Sequence, residues 1–267
     1  HDLTTRQTRW VSRGGEGRSR APAISPDGRF VSFESTAANL VEGDDNRVPD
    51  VFLYDVEKAS VRRVSVNSSG REQNRAVVPQ FVTASDVSEG GRFVVWDSDA
   101  TNLVRGDVNR DTDVFVRDVR RGQTRVVSRD STGAPADNDA YFPTISDDGR
   151  YVSFSSFATN LWPGNPAGED VFLHDRTLRT TSILTVTSRG RERRAEAKRQ
   201  LLRRAPIADG GRQVAFTSSA RLTDTDFNGA EDVHVRSTEP PAGRIVSIRG
   251  GRYRLDADDP AAVFLCR

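Results

Sequence analysis

The chain has 267 residues, with 39 lysines and arginines against 38 aspartates and glutamates, a formal net charge of +1. That length holds one large or two small domains with ample chain for a buried core, and the near balance of charge argues against a nucleic-acid binder, which carries a clear basic excess. No run of about 18 apolar residues exists to cross a membrane as a helix, no signal peptide opens the chain, and the single cysteine, Cys266, excludes an intrachain disulfide and a cysteine-rich zinc site.

Asp2 through Ser12 align without gaps to Asp118 through Ser128, sharing Gln7/Gln123, Thr8/Thr124 and Arg9/Arg125, so the chain opens on a strand that lacks the rest of its repeat. Next comes a turn, Ser25-Pro26-Asp27-Gly28-Arg29-Phe30. It returns as Ser88-Glu89-Gly90-Gly91-Arg92-Phe93, Ser146-Asp147-Asp148-Gly149-Arg150-Tyr151 and Ala208-Asp209-Gly210-Gly211-Arg212-Gln213, with arginines 63, 58 and 62 residues apart. A second landmark keeps the same period: Asp50-Val51-Phe52, Asp113-Val114-Phe115, Asp170-Val171-Phe172 and Asp232-Val233-His234.

Each repeat predicts four short strands. The first runs, in successive repeats, over Ala21 to Ser25, Val77 to Val82, Tyr141 to Ser146 and Ala205 to Ala208, ending in an Asp-Gly or Gly-Gly turn whose left-handed dihedrals need glycine. The second alternates, as in Phe30-Val31-Ser32-Phe33. The third is the Asp-Val-Phe strand, and the fourth is Arg62 to Val66 or Thr124 to Ser128. The expected fold is a single all-β domain, a β-propeller of four-stranded blades over 13–66, 67–128, 129–187 and 188–248. A closing blade joins 249–267, where Val263-Phe264-Leu265 repeats the third strand, to 1–12. This makes five blades with one abbreviated; a four-bladed ring is the alternative.

The Ser-Pro-Asp-Gly-Arg turn followed by an aromatic-Val-Ser-Phe strand resembles the TolB-like propeller repeat, over roughly 13–240, and the same repeat occurs in the propeller domains of prolyl-oligopeptidase-like peptidases. The resemblance implies an exported, extracytoplasmic protein that binds other macromolecules. The peptidases carry catalysis on a separate hydrolase domain, for which this chain has no room.

In an up-and-down blade the second-to-third loops and the blade-to-blade connections share one face, and two unusual segments fall there. The first is the acidic loop before each third strand: Asp44, Asn46 and Asp50 in blade one, Asp107, Asn109, Asp111 and Asp113 in blade two, and Asp226, Asn228 and Asp232 in blade four. Oxygen ligands at alternate positions suit calcium, with blade two the best candidate, and the same side chains equally suit hydrogen bonds to their own loop. Blade three, with Asn165-Pro166-Ala167-Gly168, is shortened and has lost the leading aspartate. The second is the basic connection 189–204, where Arg193, Arg194, Arg203 and Arg204 are the candidate ligands for a polyanion, against the reading of a solvated loop.

No nucleophile elbow, zincin motif or phosphate loop is present. A propeller glycosidase needs carboxylates converging on the central funnel, and the expected innermost strands carry none, with Asp86 and Asp139 only flanking them. His234 stands in a phenylalanine position, and His174 in a variable one. The sequence therefore points to a non-catalytic, monomeric binding module for a glycan, a polyanion or a protein, with a protein scaffold as the alternative and a glycosidase a distant third.

Overall fold

Serine, glycine and arginine at the first turn of the first three repeats set the register of the sheets that follow. The computed structural model describes residues 1–75, 84–165, 168–186, 204–218, 222–223 and 230–238, together with strands at 245–249, 252–255 and 263–265. Blade one comprises β1 (Ser19–Ile24), β2 (Phe30–Ser35), β3 (Asp50–Asp55) and β4 (Ser60–Arg63). Blade two comprises β5 (Ser85–Val87), β6 (Phe93–Ser98), β7 (Asp113–Asp118) and β8 (Gln123–Val126). Blade three comprises β9 (Ala140–Ile145), β10 (Tyr151–Ser156), β11 (Asp170–Asp175) and β12 (Thr180–Ile183). Blade four has β13 (Ile207–Ala208), β14 (Gln213–Ser218) and β15 (Asp232–Ser237), and a last sheet has β16 (Ile245–Arg249), β17 (Arg252–Leu255) and β18 (Val263–Leu265).

The first three blades are four-stranded and the last two sheets three-stranded, each hydrogen-bonded in chain order and antiparallel throughout. The only helical turns among the described residues are two of 3-10 type, Glu89–Gly91 and Asp209–Gly211. The architecture is all-β and propeller-like, and it divides into two compact units, 1–126 and 127–267. The opening segment differs from its expectation. Residues 2–7 form a turn closed by an Asp2–Gln7 bridge, with Asp2 Oδ1 accepting from the Thr4 and Thr5 amides, rather than a strand.

The repeated turn has one chemistry in three blades. The serine hydroxyl accepts the amide of the aromatic residue that starts the second strand, at 2.9 Å (Phe30), 3.0 Å (Phe93) and 2.9 Å (Tyr151). The arginine then reaches across to the last residue of the third strand: Arg29 to Asp55 at 3.0 Å, Arg92 to Asp118 at 3.0 Å, Arg150 to Asp175 at 2.6 Å. On the way each guanidinium lies over the neighbouring ring, 4.6 to 5.0 Å from its centroid. The aspartate also caps the next turn, since Asp55 Oδ1 accepts from Glu57 and Lys58, Asp118 Oδ1 from Arg120 and Arg121, and Asp175 Oδ1 from Thr177 and Leu178. The hydrogen bond from Arg29 holds the Asp55 carboxyl below its usual range.

Pairing places Phe33 against Phe52, Trp96 against Phe115, Phe154 against Phe172 and Phe216 against His234, with ring centroids 5.7 to 5.9 Å apart. His234 is thus a stacked strand residue. Within each unit, the second and fourth positions of the third strand form one face and meet the next blade's first two strands. In the first unit Val51, Leu53 and Val64 pack with Val87, Val94 and Trp96; in the second, Val171, Leu173 and Leu184 pack with Ala205, Val214 and Phe216. Burial of these side chains supplies the main driving force for blade stacking, about 1.5–3 kcal/mol for each large one.

The connections are tied by a second repeat. Ser68 and Ser131 each accept a fourth-strand amide, from Thr124 and Thr181, and donate back to the same residue's carbonyl. Asn67 and Asp130 fold their own loops, accepting from Ser69 and Arg71, and from Thr132 and Ala134. A side chain of the third strand then latches the connection. Arg117 Nη1 donates to the Val66 and Asn67 carbonyls at 3.2 Å, and Arg236 Nη1 to those of Leu184 and Val186 at 3.1 and 2.7 Å.

The stacking is tightest at the second glycine of the turn. Gly91 has φ of +64°, and a Cβ there would lie 2.4 Å from the Phe30 ring, whereas a Cβ on Gly28, at φ +71°, meets open space. Gly28→Ala is therefore expected to cost only the left-handed backbone penalty, about 1–2 kcal/mol, and Gly91→Ala about 1–3 kcal/mol more from overpacking. Urea unfolding of the two variants side by side measures the difference.

Candidate functional site

The acidic loops of blades one and two are conformational copies. Gly43 and Gly106 take φ of +67° and +84°, and Arg47 and Arg110 take +60° and +63°. Asn46 Oδ1 accepts from the Val48 amide and Asn109 Oδ1 from that of Asp111, so each asparagine folds its own turn. Asn46 Nδ2 donates to Asp50 Oδ2 at 2.7 Å, and Asn109 Nδ2 to Asp113 Oδ2 at 3.3 Å. The leading aspartate of each third strand is buried, Asp50 fully and Asp113 at 2% exposure. The Ser65 hydroxyl donates to Asp50 while accepting the Val51 amide, and Thr185 donates to Asp170. Much of the loop chemistry is thus turn and strand-start chemistry.

The loops differ in what balances their charge. In blade one Arg63, at the end of β4, enters the loop: Nη1 lies 3.1 Å from Asp44 and 3.7 Å from Asp50, contacts Glu72, and Nη2 donates to the Gly43 carbonyl at 2.8 Å. This guanidinium places a counter-charge among the carboxylates of the blade-one loop. Glu72 comes from the connection to blade two, and its carboxylate accepts from Asp45 as well, so loop and connection share one edge as expected. Even so, burial pushes the Asp50 carboxyl up to about 7.

In blade two the position of Arg63 is held by Val126: Phe52 pairs with Arg63, and Phe115 with Val126. Asp107 Oδ1 is buried without a hydrogen-bond partner, and burial, then repulsion from Asp111, raise its carboxyl. Asp99 accepts the Thr112 hydroxyl at 2.6 Å. Among the described residues no three His, Cys, Asp or Glu side chains are gathered as a preformed metal site.

Blade three replaces Arg63 with Ile183, and its loop turns inward: Asn165 is buried and donates to the Ala158 carbonyl at 2.9 Å. Glu169 is pushed up to about 7 by burial, then by Asp170 and Glu231. In blade four Asp232 stands half-buried at the start of β15, while Asp226 and Asn228 lie outside the described residues, as do Arg193, Arg194 and Arg203 of the basic connection. Arg204 is half-buried at its end. Glu72 and Glu169 were not singled out in the sequence because each lies outside the aligned landmarks, and Arg63 because the alignment reads it only as a fourth-strand residue.

The carboxylate argument against a glycosidase needs one correction. The first strand of blade two is Ser85–Val87, and the expected Val77 to Val82 lies outside the described residues. Asp86 is therefore on an innermost strand, where its Oδ1 accepts the Val87 amide at 2.9 Å. β1, β9 and β13 carry no Asp or Glu.

His174 belongs to the latch series rather than to a site. It is buried, in the position of Arg117 and Arg236, and its Nδ1 lies 2.9 Å from the Thr181 hydroxyl, which itself donates to the Arg129 carbonyl. With that hydroxyl proton committed, Nδ1 is the donor.

No family model matches the chain, and no curated protein matches it. Among solved structures it is similar to a chain of the nidogen/laminin complex, at 7% identity, 74% of this chain, 56% of that one and a TM-score of 0.39. The tricorn protease is matched at 13% identity over 89% of this chain and 24% of that one, with a TM-score of 0.44. An oligogalacturonate lyase in complex with manganese is matched at 12% identity over 88% and 70%, with a TM-score of 0.43. The chain thus spans 56% and 24% of the first two.

Two changes test the electrostatics. Arg63→Met strips the counter-charge from Asp44, Asp50 and Glu72, and is expected to cost about 3 kcal/mol at neutral pH, less in acid; urea unfolding at both pH values reads it. Burial, then the Arg129 charge, lower the His174 pKa to about 4, from an ordinary value of 6.5. The folded state thus disfavours the protonated ring, so stability is full above pH 6.5 and falls toward pH 4, by about 3 kcal/mol. His174→Gln is expected to remove that part of the acid sensitivity, seen as a shallower fall in unfolding free energy between pH 6.5 and 4.

Proposed function

We propose that the protein is a non-catalytic binding module and that the edge carrying the acidic loops and the blade connections is its working surface. Blade two is its calcium site, through Asp107, Asn109, Asp111 and Asp113, which close around the ion when it binds. One contrast carries this reading. The loop of blade one has its own arginine inside it, whereas the same loop of blade two has a valine at that position and a buried carboxylate oxygen with no hydrogen-bond partner. A hard divalent cation with oxygen preference is the species that would offset the charge of Asp107. Asp226, Asn228 and Asp232 repeat the pattern in blade four. The ligand bound beside the ion is a glycan or polyanion, with Arg193, Arg194, Arg203 and Arg204 of the connection supplying positive charge. An extracytoplasmic location, where calcium is plentiful, agrees with the repeat resemblance.

The test is thermal unfolding and calorimetric titration with calcium chloride on the whole chain, with Asp107→Asn alongside. At a calcium concentration 100 times the dissociation constant, stabilisation of about 2.7 kcal/mol is expected for the wild type and none for Asp107→Asn, which in EDTA should be at least as stable as the wild type. No heat and no shift for the wild type would overturn the calcium site. A glycan and polyanion array, run in calcium and in EDTA, then separates the ligands. Binding lost in EDTA supports the acidic loops. Binding kept in EDTA but lost in salt, and lost again on changing the four arginines to serine, assigns it to the connection. An empty array would overturn the glycan and polyanion reading in favour of a protein scaffold.

A further inference from the structure

Two sheet faces that are buried in the other described blades are exposed, among the described residues, at the first and fourth blades. The second and fourth positions of the third strand are closed in blades one to three: Val51 0% and Leu53 2% exposed, Val114 0% and Val116 2%, Val171 7% and Leu173 6%. In blade four the same positions, Val233 and Val235, are 75% and 64% exposed. The opposite face shows the same break. Val87 and Ile145, at the end of the first strand, are 3% and 5% exposed, but Ile24, their equivalent in blade one, is 61% exposed. Val31 is half-buried where Val94, Val152 and Val214 are fully buried.

The two blade junctions described above show what each face takes. Val51 and Leu53 take Val87 and Val94; Val171 and Leu173 take Val214. The bare Val233–Val235 face therefore fits a sheet presenting the Ile-and-Val pair, and the bare Ile24–Val31 face is such a sheet. The sheet that follows in the chain does not repeat that pair. Its pairing is in the blade register, but Ser247 and Arg254 stand where Ile207 and Val214 stand in blade four.

We propose that Val233 and Val235 of one copy dock onto the Ile24–Val31 face of a second copy of this chain, continuing the blade-on-blade packing from one molecule to the next. The contact is heterologous: two different patches meet, so each copy keeps one face free and further copies can add. It leaves the acidic loops at the strand ends uncovered, and so stands apart from the calcium reading.

Sedimentation velocity over a concentration series on the whole chain tests it, with Ile24→Asp and with Val233→Asp/Val235→Asp. The wild type is expected to associate as concentration rises, and each variant to weaken association at least about 10-fold per substituted contact. Mixing the two variants is the decisive arm. Each retains the face the other lacks, so the mixture is expected to form one-to-one dimers that grow no further. Wild type that stays monomeric at every concentration overturns the proposal. So does a mixture that stays monomeric while the wild type associates. All substituted positions are exposed, so each variant alone should keep the wild-type melting temperature of dilute protein. A large loss in Val233→Asp/Val235→Asp would mean the face is covered within its own chain, and would also overturn it.

Discussion

An arginine at the start of the second strand and an aspartate at the end of the third hold each of the first three blades, and most of the repeat exists to place them. Serine and a left-handed glycine turn the chain so that Arg29, Arg92 or Arg150 leaves the hairpin over the next aromatic ring. The aspartate it meets is then free to cap the following turn with its other bonds. One charge-assisted contact thus joins two strands and two turns at a single end of the blade. Blade four lacks it. Alanine replaces the serine, glutamine the aromatic, and Ser237 the aspartate. There the third strand alternates between half-buried and exposed residues, where its counterparts are almost wholly buried.

That division of labour leaves the other end of the strands chemically free. The two ends of a six-residue third strand are roughly 17 Å apart, so the charges at Asp50 and Asp55 belong to separate settings. At the clamp end a fixed arginine lowers the aspartate; at the loop end burial raises it. Blade one answers the loop's charge with Arg63, blade three by shortening the loop, and blade two with neither. A buried carboxylate without a counter-charge is costly, and such a cost is commonly retained where a ligand relieves it.

The latch position shows the same logic of substitution at a conserved place in the fold. Arg117 and Arg236 bind linker carbonyls directly, and His174 does so through Thr181. An arginine keeps its charge when buried, with several donors to spend on carbonyls. A histidine there is held neutral, which makes blade three's linker the acid-sensitive one.

Periodicity alone determined the strands, their order and the glycine turns, because a two-residue alternation and a left-handed turn are local properties. The aromatic pairs and the position of His234 were legible for the same reason: an alignment of repeats is an alignment of register. The loop edge was legible too, since strand parity decides which loops share a face. Tertiary structure decided the rest. Asp86 lies on the described strand Ser85–Val87 of blade two rather than beside one, and residues 2–7 make a turn despite matching a strand elsewhere in the chain. Above all, the sequence shows the same oxygen-rich loop in blades one and two, and only the fold reveals that Arg63 fills one of them. That arginine lies 13 residues beyond Asp50 on a different strand, and its effect depends on distance in space, to which a linear pattern of residues is blind.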